Sequence, residues 1–206
     1  YIKGRFDHII FFTVLEHIKQ TDKFLKQVKN HLKKNGKVFV SVPDCSKEIC
    51  EGDGSIFLHE HYHYFTPSSL SNTFISEDFK FTVKQSNYGR SLYGVAEIEQ
   101  NNKLKFSNEE KKLYIDFPKK FLKIQKEINL FLNSKLDLGS VGIFCPVRIL
   151  NYISIDNNNI FFFDDSEILF NKYYPPFKYK IHSRKDLIKI SPKNLLIASR
   201  TFGKKI

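Results

Sequence analysis

The chain has no methionine and no tryptophan, two alanines (Ala96 and Ala198) and three cysteines in 206 residues. Cys45, Cys50 and Cys145 are odd in number and share no short spacing, which excludes a disulfide framework and suits a reducing compartment. No apolar run approaches the roughly 18 residues that a membrane-spanning helix needs. No signal-peptide pattern opens the chain either, so a cytoplasmic protein without a membrane partner is expected. Residue 1 is tyrosine, and an initiator methionine is not usually trimmed before so large a residue. The chain is therefore expected to begin inside a longer reading frame.

Arginine is also scarce, at five of 33 basic residues, although the net charge is +11. The lysines are spread along the whole chain among aspartates and glutamates rather than gathered into one arm. That distribution is read as a solvated surface and not as a nucleic-acid footprint. What is abundant is phenylalanine, 21 residues within a hydrophobic fraction of 41%. This composition folds, and 206 residues hold one large or two small domains.

Phe6 to Leu15 is a continuous β-prone apolar run, the pattern of a parallel strand covered on both faces. Thr21 is the expected cap of a helix whose apolar stripe is Phe24, Leu25, Val28 and Leu32, closed by Lys33, Lys34 and Gly36. Lys37 to Val42 is a second buried strand ended by Pro43, completing a β-α-β unit. Asp44 to Ser55 reads as a loop on the ligand-binding edge of such a sheet. Thr66 and Pro67 open a capped helix, and Phe79–Ser86 and Ser91–Glu99 form an antiparallel pair turning at Asn87–Arg90. Asn101 to Glu110 is polar, and Glu109 to Leu136 carries a helical period interrupted by Pro118. A second alternation follows: strand 140–144, helix 146–153, strand 160–164, helix 184–188 and strand 194–199.

His59-Glu60-His61-Tyr62-His63 spells H-E-x-x-H. On a helix, His59 and His63 would share one face and could hold zinc with Glu60 as base. The aromatic flanks and Pro67 disfavour that helix, no third ligand motif follows, and no metal is expected. Asp164 and Asp165 end a buried strand and so face the ligand edge of the second unit.

The segment FDHIIFFTVLEHIKQTDKFLKQVKNHLKKNGKVFVSVPD resembles the second half of a class I S-adenosylmethionine-dependent methyltransferase domain. It matches the pattern of that family's fourth strand, following helix and fifth strand, and HEHYHYFTPSSL resembles the segment after them. The resemblance implies a seven-stranded Rossmann-like sheet with S-adenosylmethionine across the ends of its first and fourth strands. The family's glycine-rich loop and ribose-binding acidic residue would lie upstream of Tyr1. Thr13, Glu16 and His17 would then form what remains of the cofactor wall. The family's fourth strand pairs with its first, so Phe6–Leu15 is expected to present an unpaired apolar edge.

A narrower resemblance covers almost the whole chain. FFFDDS, a Pro-Pro turn, IHSRKDL and LLIASRTFGKKI are similar to the C-terminal unit of sugar C-methyltransferases, which methylate carbon beside a keto group on a nucleotide-linked sugar. It implies His61 as the base with Glu60 assisting, and His59, His63, Tyr64, Asp164 and Asp165 as substrate contacts. A neutral imidazole can take the proton from such a carbon, and a nearby carboxylate can orient it. Leu58 stands where that family has tyrosine, and GIFCPVR replaces its glycine-rich turn.

The fold class expected is α/β: the C-terminal half of a Rossmann-like methyltransferase sheet (1–100), a helical linker (101–136) and a second small α/β Rossmann-like unit (137–206). The function expected is methyl transfer from S-adenosylmethionine to a small molecule such as a nucleotide-linked keto sugar. A non-catalytic sugar-nucleotide-binding module and a zinc-dependent hydrolase are the alternatives.

Overall fold

A computed structural model describes residues 3–57, 60–87, 90–100, 103–104 and 108–198. The chain divides into two compact α/β units, Tyr1–Pro118 and Lys119–Ile206. Among the described residues no helix is long and apolar enough to cross a membrane.

The first unit is a four-stranded sheet of order β1-β2-β4-β3, made of β1 (Phe6–Phe12), β2 (Leu32–Pro43), β3 (Phe79–Gln85) and β4 (Ser91–Ile98). β1 runs parallel to β2, whereas β4 is antiparallel to both of its neighbours. The two-residue alternation of a strand puts Val38, Val40 and Val42 on one face, where they are buried with Phe11, Leu92 and Ala96 from the paired strands. Helix α1 (Thr21–His31) adds Leu25 and Val28 to that core. Helix α3 (Pro67–Ile75) adds Leu70 and Phe74, and the Phe74 ring stacks on Phe81 at 4.4 Å.

Several expectations for this unit are corrected. β1 is not covered on both faces: Ile10 is 62% and Phe12 53% exposed on the side away from the helices. It occupies the end of the sheet, pairing with β2 alone among the described strands, as the apolar-edge expectation requires. The strand stops at Phe12 rather than Leu15. Thr13 takes a left-handed conformation (φ 50°), and Leu15 then turns fully into the core within a 3-10 turn, Leu15–His17. The cap of α1 is Gln20, one residue before Thr21, and the helix ends at His31. Leu32 leaves in an extended conformation to bury its side chain, which carries Lys33, Lys34 and Gly36 into β2. A Cβ at Gly36 would lie 2.8 Å from Leu32, so glycine serves close packing there instead of a helix end. The expected loop after β2 contains a short helix, α2 (Ser46–Glu51), ended by Gly52 at φ 73°. Thr66 caps α3 as expected, accepting from the Ser69 amide, with Pro67 in the first turn. The turn at 87–90 includes Tyr88 and Gly89, which lie outside the described residues, as do 101–102 and 105–107 in the polar stretch after β4.

Helix α4 (Asn108–Leu136) is continuous through Pro118, and residues up to that proline belong to the first unit. Proline removes one backbone donor there without ending the helix. The second unit is a parallel sheet of order β7-β6-β5-β8, built from β5 (Val141–Phe144), β6 (Ile160–Asp164), β7 (Ile181–Ser183) and β8 (Asn194–Ile197). Its core gathers Leu132, Val141, Ile143, Ile160, Phe162 and Ile181. Two 3-10 turns, Pro146–Arg148 and Leu150–Tyr152, replace the helix expected over 146–153. The Asn129 side chain donates to the Tyr152 carbonyl at 2.6 Å and accepts from the Ser154 amide at 2.9 Å, satisfying backbone groups that a helix would have used. β7 was not expected, helix α5 runs Arg184–Ile190, and Ser199 of the last expected strand lies outside the described residues.

Candidate functional site

The carboxyl ends of β1 and β2 carry the polar residues of the first unit. Past Phe12, the Thr13 amide donates to the Ser41 carbonyl at 2.8 Å, and the exposed Thr13 hydroxyl donates to the Phe12 carbonyl. The 3-10 turn then buries Glu16, a charged side chain left only 2% exposed. The segment 60–66 crosses this point outside any helix or strand. Its Tyr62 and His63 amides both donate to the Glu16 carbonyl, at 2.8 and 3.3 Å, and the Cys45 amide donates to the Phe65 carbonyl at 2.9 Å. Backbone bonds between residues distant in sequence therefore form the site.

Three side chains meet there. One nitrogen or carboxylate oxygen from each of Glu16, His17 and His61 lies within 4.8 Å of the others. The His17 and His61 rings meet edge to face at 4.7 Å. His17 Nδ1 is 2.9 Å from the Glu60 carbonyl oxygen. A carbonyl can only accept, so Nδ1 carries a proton, and in the neutral ring the lone pair then sits on Nε2. That Nε2 is 3.9 Å from Glu16 Oε1, while the other carboxylate oxygen, Oε2, is buried with no hydrogen-bond partner among the described residues. A carboxyl oxygen held away from water without a donor is costly, and a bound ligand is one way to complete its bonding.

The sequence-derived residues separate into two groups. Glu16, His17 and His61 come together; Thr13 lies on the same strand end. Glu60 is exposed and enters through its backbone carbonyl, so the carboxylate within this cluster is that of Glu16. His63 donates through Nε2 to the Ile18 carbonyl at 2.9 Å and stacks on Phe65, and Tyr64 packs edge-on against Phe57 at 5.4 Å. His59 and Leu58 lie outside the described residues. The H-E-x-x-H reading is corrected: residues 60–66 form no helix, and His63 is turned toward Ile18. Cys45, buried at the same strand end, has its thiol pushed up to about 12 by burial and by the neighbouring carboxylates of Glu48 and Asp44, so it stays protonated. The burial of Glu48 and Asp53 had no signal in the sequence, where both sit in a polar stretch.

In the second unit, Asp164 accepts from the Ser166 amide at 2.9 Å in a turn, and the Arg184 Nε and Nη2 groups each donate to one carboxylate oxygen of Asp165. Arg184 also lies over the Phe144 ring at 5.1 Å. The sequence marked this arginine only as a helix start. Cys145, in a left-handed conformation after β5, has its thiol pKa raised by burial and by Asp164 and Asp165.

Residues 2–85 match the sequence model of a family described as "Methyltransferase domain". Similar solved structures are a DhpI–SAH complex (14% identity, TM-score 0.38, 48% of this chain and 50% of that one) and a DhpI–SAM–HEP complex (15%, 0.38, 46% and 51%). A third is the magnesium protoporphyrin IX methyltransferase ChlM from Synechocystis PCC 6803 with bound SAH (12%, 0.34, 46% and 46%). The chain spans about half the length of these proteins. No curated protein sequence matches it.

Proposed function

From the match of residues 2–85 to the family model described as a methyltransferase domain, we propose that the protein transfers a methyl group from S-adenosylmethionine to carbon beside a ketone, on a nucleotide-linked sugar or a related small molecule. The observation that carries this reading is the Glu16–His17–His61 cluster at the carboxyl end of β1. The buried, unpartnered Glu16 oxygen fits the cationic side of the cofactor, with Thr13 and His17 beside it on the same wall. When bound, the cofactor supplies a methyl group on positively charged sulfur, which leaves as a neutral thioether.

The chain's own residues supply the proton handling. His61 takes the proton from the acceptor carbon, freeing the electron pair that forms the new carbon–carbon bond. The Glu16 carboxylate stabilises the resulting imidazolium, a role that sequence adjacency gave to Glu60. His17, oriented by the Glu60 carbonyl, limits the directions in which the His61 ring can turn. His63 and Tyr64 flank the base, and with His59 they are the proposed substrate contacts of this unit. Asp164 and Asp165 are proposed as contacts of the second unit, where a ligand would compete with the Arg184 pair. The odd cysteine count without a short repeated spacing supports the proposed cytoplasmic setting.

The test uses the product of the complete reading frame, methyl-labelled S-adenosylmethionine and a panel of nucleotide-linked keto sugars. Label is expected on carbon next to the ketone, falling about 100-fold or more in His61→Ala. Label on oxygen or nitrogen overturns carbon transfer, undiminished His61→Ala activity overturns the base, and failure to bind the cofactor overturns the whole reading.

A further inference from the structure

We propose that Glu16, His17 and His61 form a binding site for a divalent transition metal of the zinc type. The inference stands apart from methyl transfer, because it rests on the donor set and is read without cofactor. Two imidazole nitrogens and one carboxylate oxygen are the ligand types zinc takes when it keeps a fourth position open. They lie within 4.8 Å of one another. Ligand atoms around a tetrahedral zinc are about 3.3 Å apart, given bonds near 2.0–2.1 Å. Closing the difference requires only small rotations of His17, whose side chain is 39% exposed, and of the partly exposed His61.

Two further features point to a metal rather than to an ordinary hydrogen-bonded cluster. The Nδ1–H of His17 bonds the Glu60 carbonyl at 2.9 Å, the outer bond that fixes the tautomer of a metal-binding histidine and leaves Nε2 free to ligate. In addition, Glu16 is 2% exposed, and its Oε2 has no donor among the described residues. A sulfonium or ammonium group could compensate that oxygen, but it would make no use of two imidazole lone pairs. A metal ion uses all three. The bound ion would tie the turn after β1 to the segment 60–63. Metal and proton compete for the His61 lone pair, so under the methyl-transfer reading a loaded site has no free base.

The experiment strips the full chain with a chelator and titrates it with Co2+ and then Zn2+, without cofactor. One equivalent of cobalt is expected to give the visible d–d bands of a low-coordinate site, and zinc should displace it. His17→Ala and His61→Ala should lose the bands, and Glu16→Gln should weaken binding by at least about tenfold. His63→Ala should leave them unchanged. The buried Glu16 can affect folding, so the two partly exposed histidines, checked by thermal melting, carry the decision. Absence of bands in the unmodified chain, or bands that survive His61→Ala, overturns the site. A thiolate-to-cobalt band would move the metal to a cysteine, and loss in His63→Ala with retention in His17→Ala would move it to the H-E-x-x-H set. Either result overturns the proposal.

Discussion

Replacing Glu16 with methionine should make the first unit more stable while removing the carboxylate from the proposed site. The carboxylate is 2% exposed and one of its oxygens has no partner. A buried, unsatisfied polar group costs about 1–3 kcal/mol, here taken as about 2. Against that gain stands the loss of the 3.9 Å contact with His17. That ring is 39% exposed, and solvent screening limits such pairs to about 0–1 kcal/mol. Methionine has a similar length and volume, so repacking adds little. The net is a gain of about 1 kcal/mol, which at a urea slope of about 2 kcal/mol per molar raises the midpoint by about 0.5 M. Hydrogen exchange of β2 peptides across a urea series isolates the first unit from the second. A midpoint that falls would mean that the carboxylate is anchored by a donor. The argument for a ligand at that oxygen would then fail.

Two predictions concern packing and pH. Gly94→Ala should destabilise the first unit by about 1–3 kcal/mol. A Cβ there would lie 2.5 Å from Phe81 Cε2 and 3.0 Å from Val40, and the Phe81 ring is pinned by its stack on Phe74. Adding Phe81→Ala should recover about 1 kcal/mol relative to the sum of the single changes in urea melts, and additive costs would refute the clash. In α5, the hydroxyl of Ser183 and then its amide hold the Asp186 carboxyl below the ordinary carboxylate range. Because the folded pKa is depressed, this cap contributes above the unfolded value of about 4 and is lost as the pH falls through the lower folded value. Amide exchange in 184–190 should rise on acidification below about pH 4, and Asp186→Asn should flatten that dependence.

The parts of the fold legible in the sequence were those with a continuous local signal. The apolar runs of β1 and β2, the stripe of α1, the Thr66–Pro67 start of α3 and the β3–β4 hairpin each depend on neighbours within a few residues. What failed depended on distant contacts. Leu15 leaves the strand because the core takes it, Leu32 leaves the helix for the same reason, and Asn129 replaces a helix over 146–153 from twenty residues away. β7 is three residues long, too short for an alternation to register.

Glu16, His17 and His61 were each visible as candidates, but their meeting was not. Glu60 was paired with His61 because it precedes it, yet Glu60 reaches the cluster through its backbone carbonyl. The nearby carboxylate comes instead from a turn 45 positions earlier, as the backbone bonds to Glu16 dictate.

Those bonds also govern how the segment can open. Tyr62 and His63 both donate to the single carbonyl of Glu16. The two bonds should break in one event, with the crossing segment either latched or released and no half-open state between them. The ring of His61, one residue before the latch, is then held over the strand end as long as the latch is shut. Entry to the site and correct placement of its histidine would be the same motion, seen from opposite sides.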